Sequence, residues 1–233
     1  MRFPGTMAAL CSTMLWSLSL LQVRATDTPV ATAPSSPGDA RVLFQNLCQS
    51  CHGDKGAGNA TLMAPSIAGL PDWYVLAQLG NFQADRRGTH PSDTPGQMMR
   101  TIAKVLSPAQ SHTLSRFVSQ LSRVRPAALP NVDTRPGKLL FEERCMECHR
   151  YNAEGELFFS SPPLVGHAAW YLKAQLHKFR RGERGAVPGD EFGAKMVLAV
   201  AHIDSDELLD SLVAYLMEMQ NPPLKAPGTF GED

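Results

Sequence analysis

One five-residue pattern occurs twice in this chain. Cys48-Gln49-Ser50-Cys51-His52 is matched by Cys145-Met146-Glu147-Cys148-His149. Two cysteines three positions apart lie about one helical turn from each other, so both sulfurs can reach one edge of a flat ring. Cys-x-x-Cys-His is the attachment pattern of c-type haem, and its histidine is placed against the iron. The two copies predict two covalently bound haem c groups, attached through Cys48, Cys51, Cys145 and Cys148 and ligated by His52 and His149.

The two signatures belong to a longer internal repeat. A shift of 97 residues aligns the two halves without a gap between signature and methionine. It pairs Pro65 with Pro162, Gly69 with Gly166, Trp73 with Trp170, Tyr74 with Tyr171, Gln78 with Gln175, Arg87 with Arg184 and Met99 with Met196. A repeat of this kind indicates a duplicated structural unit. No useful length of sequence alternates with period two, so we predict an all-α protein.

The rest of the chain divides around these two units. Residues 1–25 carry Arg2, a mostly apolar stretch and small residues near Ala25, which is typical of a cleaved secretory signal. An uncleaved anchor is the alternative, but about 15 apolar residues are fewer than the roughly 20 that a membrane span needs. We then predict a flexible leader at 26–38, a first domain at 39–124, a linker at 125–136, a second domain at 137–220 and a tail at 221–233.

The positions of the cysteines and the net charge restrict which class of protein this is. Of the five cysteines, Cys11 falls in the predicted signal and the other four belong to the signatures. That pattern fits haem attachment in an oxidising compartment better than a disulfide framework. A four-thiolate zinc site is the structural alternative, but it leaves the adjacent histidines unexplained. The 22 basic and 22 acidic residues balance, which argues against a nucleic-acid partner.

Each iron needs a second axial ligand to be six-coordinate. Met opposite His is the arrangement that raises the potential of electron-transfer cytochromes. Among the ten methionines, Met99 and Met196 are the pair that the repeat places in register, each 47 residues after its histidine. Core packing is the ordinary role of a methionine. The shared register instead predicts that Met99 and Met196 are the sixth ligands.

Other repeated residues are candidates for the haem surroundings. The carbonyls of Pro65 and Pro162 could hold the second ring nitrogen of each histidine, with simple turn prolines as the alternative. Arg87 and Arg184 could pair with haem propionates, or lie at the surface. Tyr74 and Tyr171 could donate hydrogen bonds from their hydroxyl groups near the haem. The five histidines outside the repeat are predicted to be surface residues: His90, His112, His167, His177 and His202.

The signatures, the Pro-x-x-x-Gly loops and the Trp-Tyr-x-x-x-Gln-Leu segments resemble dihaem class I cytochromes c of the c-four type. The related dihaem subunit of flavocytochrome c sulfide dehydrogenase is also similar. The resemblance covers about residues 39–220 and implies two tandem cytochrome c-like domains, each a small helical bundle around one covalently attached haem. It also implies propionate edges that face each other across the domain interface. Arg150 is a departure, because Gly53 follows the histidine in the first half.

The resemblance implies a periplasmic electron-transfer protein that passes single electrons between a donor and an acceptor protein. A terminal oxidase or a dehydrogenase is a candidate partner, and docking to membrane complexes is compatible with this role. One alternative is the electron-accepting subunit of a larger dehydrogenase. A dihaem peroxidase is less well supported, because it needs an open iron position and both halves carry a methionine.

Charge differs between the halves. Residues 26–125 contain 9 basic and 6 acidic residues, whereas residues 126–233 contain 11 basic and 16 acidic residues. Charge of opposite sign at two ends can orient docking, so donor and acceptor proteins are expected to meet different domains. Ordinary solvated surface is the alternative explanation.

Overall fold

The structure is a computed structural model that describes residues 37–220. The predicted signal peptide at 1–25, the leader up to residue 36 and the tail at 221–233 lie outside the described residues. Within residues 37–220 the secondary structure is helical, apart from two isolated bridges, Asn59 with Ala64 and Glu156 with Ser161. The all-α prediction is therefore confirmed. No helix in this part of the chain is long and apolar enough to cross a membrane.

The N-terminal half contains five helices. The helix that precedes the first signature leads directly into a short helical turn that holds its second cysteine and its histidine. A loop of 19 residues, 53–71, then separates this turn from three longer helices. The bounds are α1 Pro37–Leu47, α2 Gln49–His52, α3 Asp72–Gln83, α4 Thr94–Lys104 and α5 Pro108–Ser119.

The C-terminal half repeats this order. Its first helix continues through a short π-helical stretch, Phe141–Cys145, into the turn of the second signature. The bounds of its helices are α6 Arg135–Leu140, α7 Met146–His149, α8 Ala169–Arg180, α9 Glu191–Val200 and α10 Asp206–Gln220. Each long helix therefore has a counterpart in the other half, as the repeat predicts.

Each half packs around its own apolar core. Phe44 of α1, Phe82 of α3 and Leu114 of α5 belong to the first core, and the rings of Phe44 and Phe117 are 5.2 Å apart. The second core is formed by buried residues of the π-helical stretch, α8, α9 and α10, and Leu140 of α6 packs against it. Burial of these apolar side chains away from water is the main term that holds each bundle together.

The first and last helices of the second half cross very closely. A Cβ added to Gly137 of α6 would lie 2.2 Å from the backbone of Ser211 in α10, so only glycine fits this crossing. The Ser211 hydroxyl accepts a hydrogen bond from the backbone N–H of Gly137 over 2.8 Å and donates one to the carbonyl oxygen of Asp133 over 2.6 Å. These bonds tie the end of the linker to α10.

Helix starts follow their capping residues. Ser107 and Gln110 form a capping box at the start of α5. The shift of 97 residues places Asp204 and Glu207 in register with this pair, but at the start of α10 it is the hydroxyl of Ser205 that accepts from the backbone N–H of Leu208. The differences at other starts are small, since α1 begins at Pro37 within the predicted leader and α6 begins at Arg135 within the predicted linker.

Candidate haem-binding sites

The two signatures fold into equivalent helical turns. The four signature cysteines form no disulfides, and all four are partly buried. Burial, together with the neighbouring thiol, raises the pKa of Cys48 to about 11, and the same causes raise the pKa of Cys145 to about 11.

The histidine of each signature is buried and oriented by a carbonyl. Nδ1 of His52 lies 2.8 Å from the carbonyl oxygen of Pro65, and Nδ1 of His149 lies 2.9 Å from that of Pro162. A carbonyl only accepts hydrogen bonds, so Nδ1 carries the proton in both rings and Nε2 keeps its lone pair. Burial lowers the pKa of both imidazoles, and the hydrogen bond offsets this only in part. Each ring is therefore a neutral nitrogen ligand with fixed orientation.

A mainly apolar cavity lies beside each histidine. The N-terminal cavity has a volume of about 440 Å³ and is lined by Cys48, Cys51, His52 and Met99. The C-terminal cavity has a volume of about 190 Å³, and its lining includes Cys145, Cys148, His149 and Met196.

Each cavity thus combines two thiols, a neutral imidazole and one repeat-matched methionine with apolar walls. Both methionines are partly buried and pack against the core of their own half. The residues present fit a covalently held haem in each half. Such a haem supplies one-electron redox chemistry, and the protein supplies attachment, orientation and exclusion of water.

The predicted arginines and tyrosines lie between the two cavities. Arg87 donates from Nη1 to Gln78 over 2.7 Å and from Nη2 to Tyr171 and Gln175 over 3.2 Å each. Arg184 mirrors this arrangement, with 2.7 Å to Gln175 and 3.1 Å to Gln78. We call the six residues of this cluster the interface network: Tyr74, Gln78, Arg87, Tyr171, Gln175 and Arg184. All six line the C-terminal cavity, and all except Arg184 also line the N-terminal cavity.

The interface network is electrostatically unusual. Each guanidinium also stacks on a phenylalanine of its own half, with 4.7 Å from Arg87 to the ring of Phe82 and 4.6 Å from Arg184 to that of Phe179. Burial raises the pKa of Tyr171, but the positive charges of Arg87 and Arg184 outweigh it and the net shift is downward. Nε of Arg87 is buried without a hydrogen-bond partner in the described part of the chain. The network can therefore receive an anionic group.

His167 corrects one expectation. It was predicted at the surface, but it is 4% exposed and lines both cavities. The shift of 97 residues places it opposite Leu70, so it occupies a position that is apolar in the first half. Its Nδ1 is buried without a partner among the described residues. Burial, followed by the charges of Arg123, Arg184 and Arg87, lowers the pKa of His167 to about 4, so the ring is neutral at pH 7.

Two further pairs of residues at this interface were not predicted from sequence. Asp93 and Asp190 occupy the same repeat position, and each accepts from a backbone N–H at the start of the helix that carries the matched methionine. Asn81 and Lys178 also share a repeat position, and each lines the cavity of the opposite half. The identity of the two aspartates in the repeat was the available signal. Nothing in the sequence shows that Asn81 and Lys178 face across the interface.

Comparison with known proteins agrees with this geometry. The cytochrome c family profile matches residues 39–122 and 134–220. A thiosulfate dehydrogenase electron acceptor of Thiomonas intermedia (strain K12) is 32% identical over 168 residues, which are 68% of this chain and 72% of that protein.

Solved structures of cytochrome c4 and of a thiosulfate dehydrogenase are also similar to this chain. The as-isolated thiosulfate dehydrogenase (TsdBA) of Marichromatium purpuratum superimposes with a TM-score of 0.62 at 28% identity, over 78% of this chain. This chain spans only 40% of that one. Reduced recombinant cytochrome c4 from Pseudomonas stutzeri gives a TM-score of 0.63 at 24% identity, over 79% of this chain and 98% of that one, and so shows a shared fold. The chain therefore belongs to the cytochrome c family, as a dihaem class I electron carrier with two His/Met-ligated haem c groups and a fold like that of cytochrome c4.

Proposed function

We propose that this protein is the periplasmic electron acceptor of a dehydrogenase that oxidises thiosulfate, and that it passes single electrons on to a further redox protein. The similarity to an electron acceptor of thiosulfate dehydrogenase is the observation that carries this proposal. The TsdBA structure supports it, because this chain aligns with part of a protein named for that activity. Class I cytochromes c are typically extracytoplasmic, and the predicted signal at 1–25 favours the periplasm.

We assign His52 and Met99 to the N-terminal haem iron, and His149 and Met196 to the C-terminal haem iron. Each pair lines one cavity together with the two thiols of its signature. The carbonyls of Pro65 and Pro162 hold each histidine in the tautomer that leaves Nε2 free for the iron. A closed His/Met ligand set leaves no position for a small-molecule substrate, which favours electron transfer over a peroxidase reaction.

We assign Arg87, Arg184, Tyr74 and Tyr171 to the side of the two haem sites where the halves meet. The partly buried guanidinium groups and the buried Nε of Arg87, which has no hydrogen-bond partner among the described residues, support pairing with propionate carboxylates. Placing those carboxylates between the halves shortens the path between the two sites. This arrangement suits a protein that accepts an electron at one haem and releases it from the other.

Reduction by a partner enzyme tests the proposal. The haem-loaded protein is mixed under nitrogen with a purified thiosulfate dehydrogenase and thiosulfate, and haem reduction is followed by absorbance. Both haems are expected to become reduced as the dehydrogenase turns over thiosulfate. In the control without thiosulfate, both haems should stay oxidised. A protein that remains oxidised in the complete mixture, yet is reduced readily by dithionite, would contradict the assignment of this donor.

The same assay tests electrostatic steering. The opposite net charges of the two halves predict a reduction rate that changes with ionic strength, because salt screens exposed charges over about 10 Å at 0.1 M. A rate that is constant between low and high salt would leave ordinary solvated surface as the explanation of the charge difference.

A further inference from the structure

A buried ion pair joins the two halves at one of two equivalent positions. Nζ of Lys178 in α8 lies 2.5 Å from Oδ1 of Asp93, and their side chains are 12% and 2% exposed. The same Asp93 oxygen accepts from the backbone N–H of Gly96 over 2.9 Å, at the start of the helix that carries Met99. A charge this well buried is weakly screened by water and salt, so it acts over a longer range than a surface charge.

The second site lacks this cation. Asp190 accepts from the backbone N–H of Gly193 over 2.9 Å in the same way, but the position equivalent to Lys178 is Asn81. Within residues 37–220, Asp190 takes part in no ion pair. Arg86 passes Gly189, next to Asp190, but its Nε donates to Asn81 over 2.9 Å. The carboxylate is thus neutralised by a direct partner at the first site and not at the second.

Two of these four side chains line the cavity of the opposite half. Lys178 belongs to the C-terminal half but lines the N-terminal cavity, together with Asp93. Asn81 belongs to the N-terminal half but lines the C-terminal cavity, together with Asp190. A nearby positive charge favours the reduced state of an iron, and a nearby carboxylate favours the oxidised state, so local charge is one of the quantities that set a haem potential.

We propose that Lys178 raises the reduction potential of the N-terminal haem from across the domain interface, and that Asn81 leaves the C-terminal haem without an equivalent charge. This inference rests on the proposed placement of one haem in each cavity. The charge difference then favours residence of the electron at the N-terminal haem, and so favours electron transfer from the C-terminal haem to the N-terminal haem. Lys178 is a positioning residue for charge, because it acts through space and not as an iron ligand.

Two substitutions in the same ion pair test this electrostatically. Redox potentials are measured by spectroelectrochemical titration of the full haem-loaded chain, and the two steps are assigned with Met99→Ala and Met196→Ala. Lys178→Gln removes the positive charge and should lower the N-terminal potential. Asp93→Asn removes the negative charge, keeps an acceptor for Gly96, and should raise it. The C-terminal potential should change less in both variants.

Two further variants separate charge from structure. Lys178→Arg keeps the charge and should leave the N-terminal potential near that of the parent protein. Asn81→Lys supplies the missing cation and should raise the C-terminal potential. Disruption of the interface would move the potential in the same direction for Lys178→Gln and Asp93→Asn, whereas a charge effect moves it in opposite directions.

Opposite shifts at the N-terminal haem support the inference. Shifts of the same sign, or no shift in any variant, would overturn it. The Met-to-iron absorption is recorded on the same samples. Its absence from the parent protein would refute the axial assignment, whereas intact absorption with unmoved potentials refutes only the role of Lys178.

Discussion

The hydroxyl group of Tyr171 lies 3.2 Å from Nη2 of Arg87, although the two residues are 84 positions apart and belong to different halves. Both side chains line the two cavities, so this contact joins the haem sites as well as the domains. Arg87 also donates to Gln175 with the same nitrogen. The interface network therefore holds the two halves together by hydrogen bonds between their side chains.

Tyr171→Phe should therefore weaken the interface. Loss of a hydrogen bond to a buried charged group costs about 1.5–3 kcal/mol, so the free energy of unfolding should fall by about that amount. Urea unfolding followed by haem absorbance measures it. Tyr151→Phe is the matched control, because Tyr151 is 73% exposed and should change stability by less than about 0.5 kcal/mol. Equal effects of the two substitutions would contradict the role of Tyr171.

Met196→Ala should open the C-terminal iron and leave the N-terminal iron unchanged. Removal of the sixth ligand abolishes one of the two Met-to-iron absorptions and lowers that haem's reduction potential, since methionine ligation raises it. Met99→Ala should have the reciprocal effect. Met219→Ala is the control, because Met219 packs against the second core and should cost stability without loss of either absorption. Unchanged absorption in Met196→Ala would show that the ligand is wrongly assigned.

Arg150→Gly should stabilise the second half. Arg150 follows the signature histidine with a φ of 66°, in the left-handed region where Gly53 stands in the first half with a φ of 79°. A side chain in this region costs about 1 kcal/mol relative to glycine. The exposed ion pair of Arg150 with Glu156 offsets only a small part of this gain. Thermal unfolding should show a higher Tm, and Gly53→Ala should lower it; changes in the opposite directions would contradict this reading of the turn.

Acid should destabilise the protein partly through His167. The pKa of this buried ring is lowered from 6.5 to about 4, so the unfolded chain binds a proton that the folded chain excludes. Its contribution to stability is complete above pH 6.5 and is lost as the pH falls from 6.5 towards 4. His167→Leu, which copies Leu70 of the first half, should reduce the slope of unfolding free energy against pH in this window. His202→Leu, at an exposed position, serves as the control. An unchanged slope in His167→Leu would show that His167 does not titrate in this way.

The sequence predicted the parts of the site that depend on local spacing. The cysteines, the histidines and the matched methionines follow from one signature and one repeat, and each half's helices follow from apolar periodicity. The hydrogen bond between His52 and the carbonyl of Pro65 was only a candidate on sequence alone. It forms only if the loop between the two residues folds back. The structure supplies that distance, 2.8 Å.

Contacts between the halves could not be predicted in the same way. The equivalence of Arg87 and Arg184 suggested a shared role, but the repeat does not specify that each donates to the glutamine of the other half. Nor does the repeat show that the ring of His167 is buried and lines both cavities. The pairing of Lys178 with Asp93 likewise depends on how the two halves pack against each other.

Carbon monoxide tests most directly whether both irons are closed by a histidine and a methionine. The dithionite-reduced native protein is titrated with carbon monoxide, and its haem absorption is recorded. We expect no appreciable binding at either haem, because Met99 and Met196 occupy the sixth positions. Stoichiometric binding at one or both haems of the native protein would contradict the closed ligand sets, and with them the assignment of this chain as a carrier with His/Met ligation at both sites.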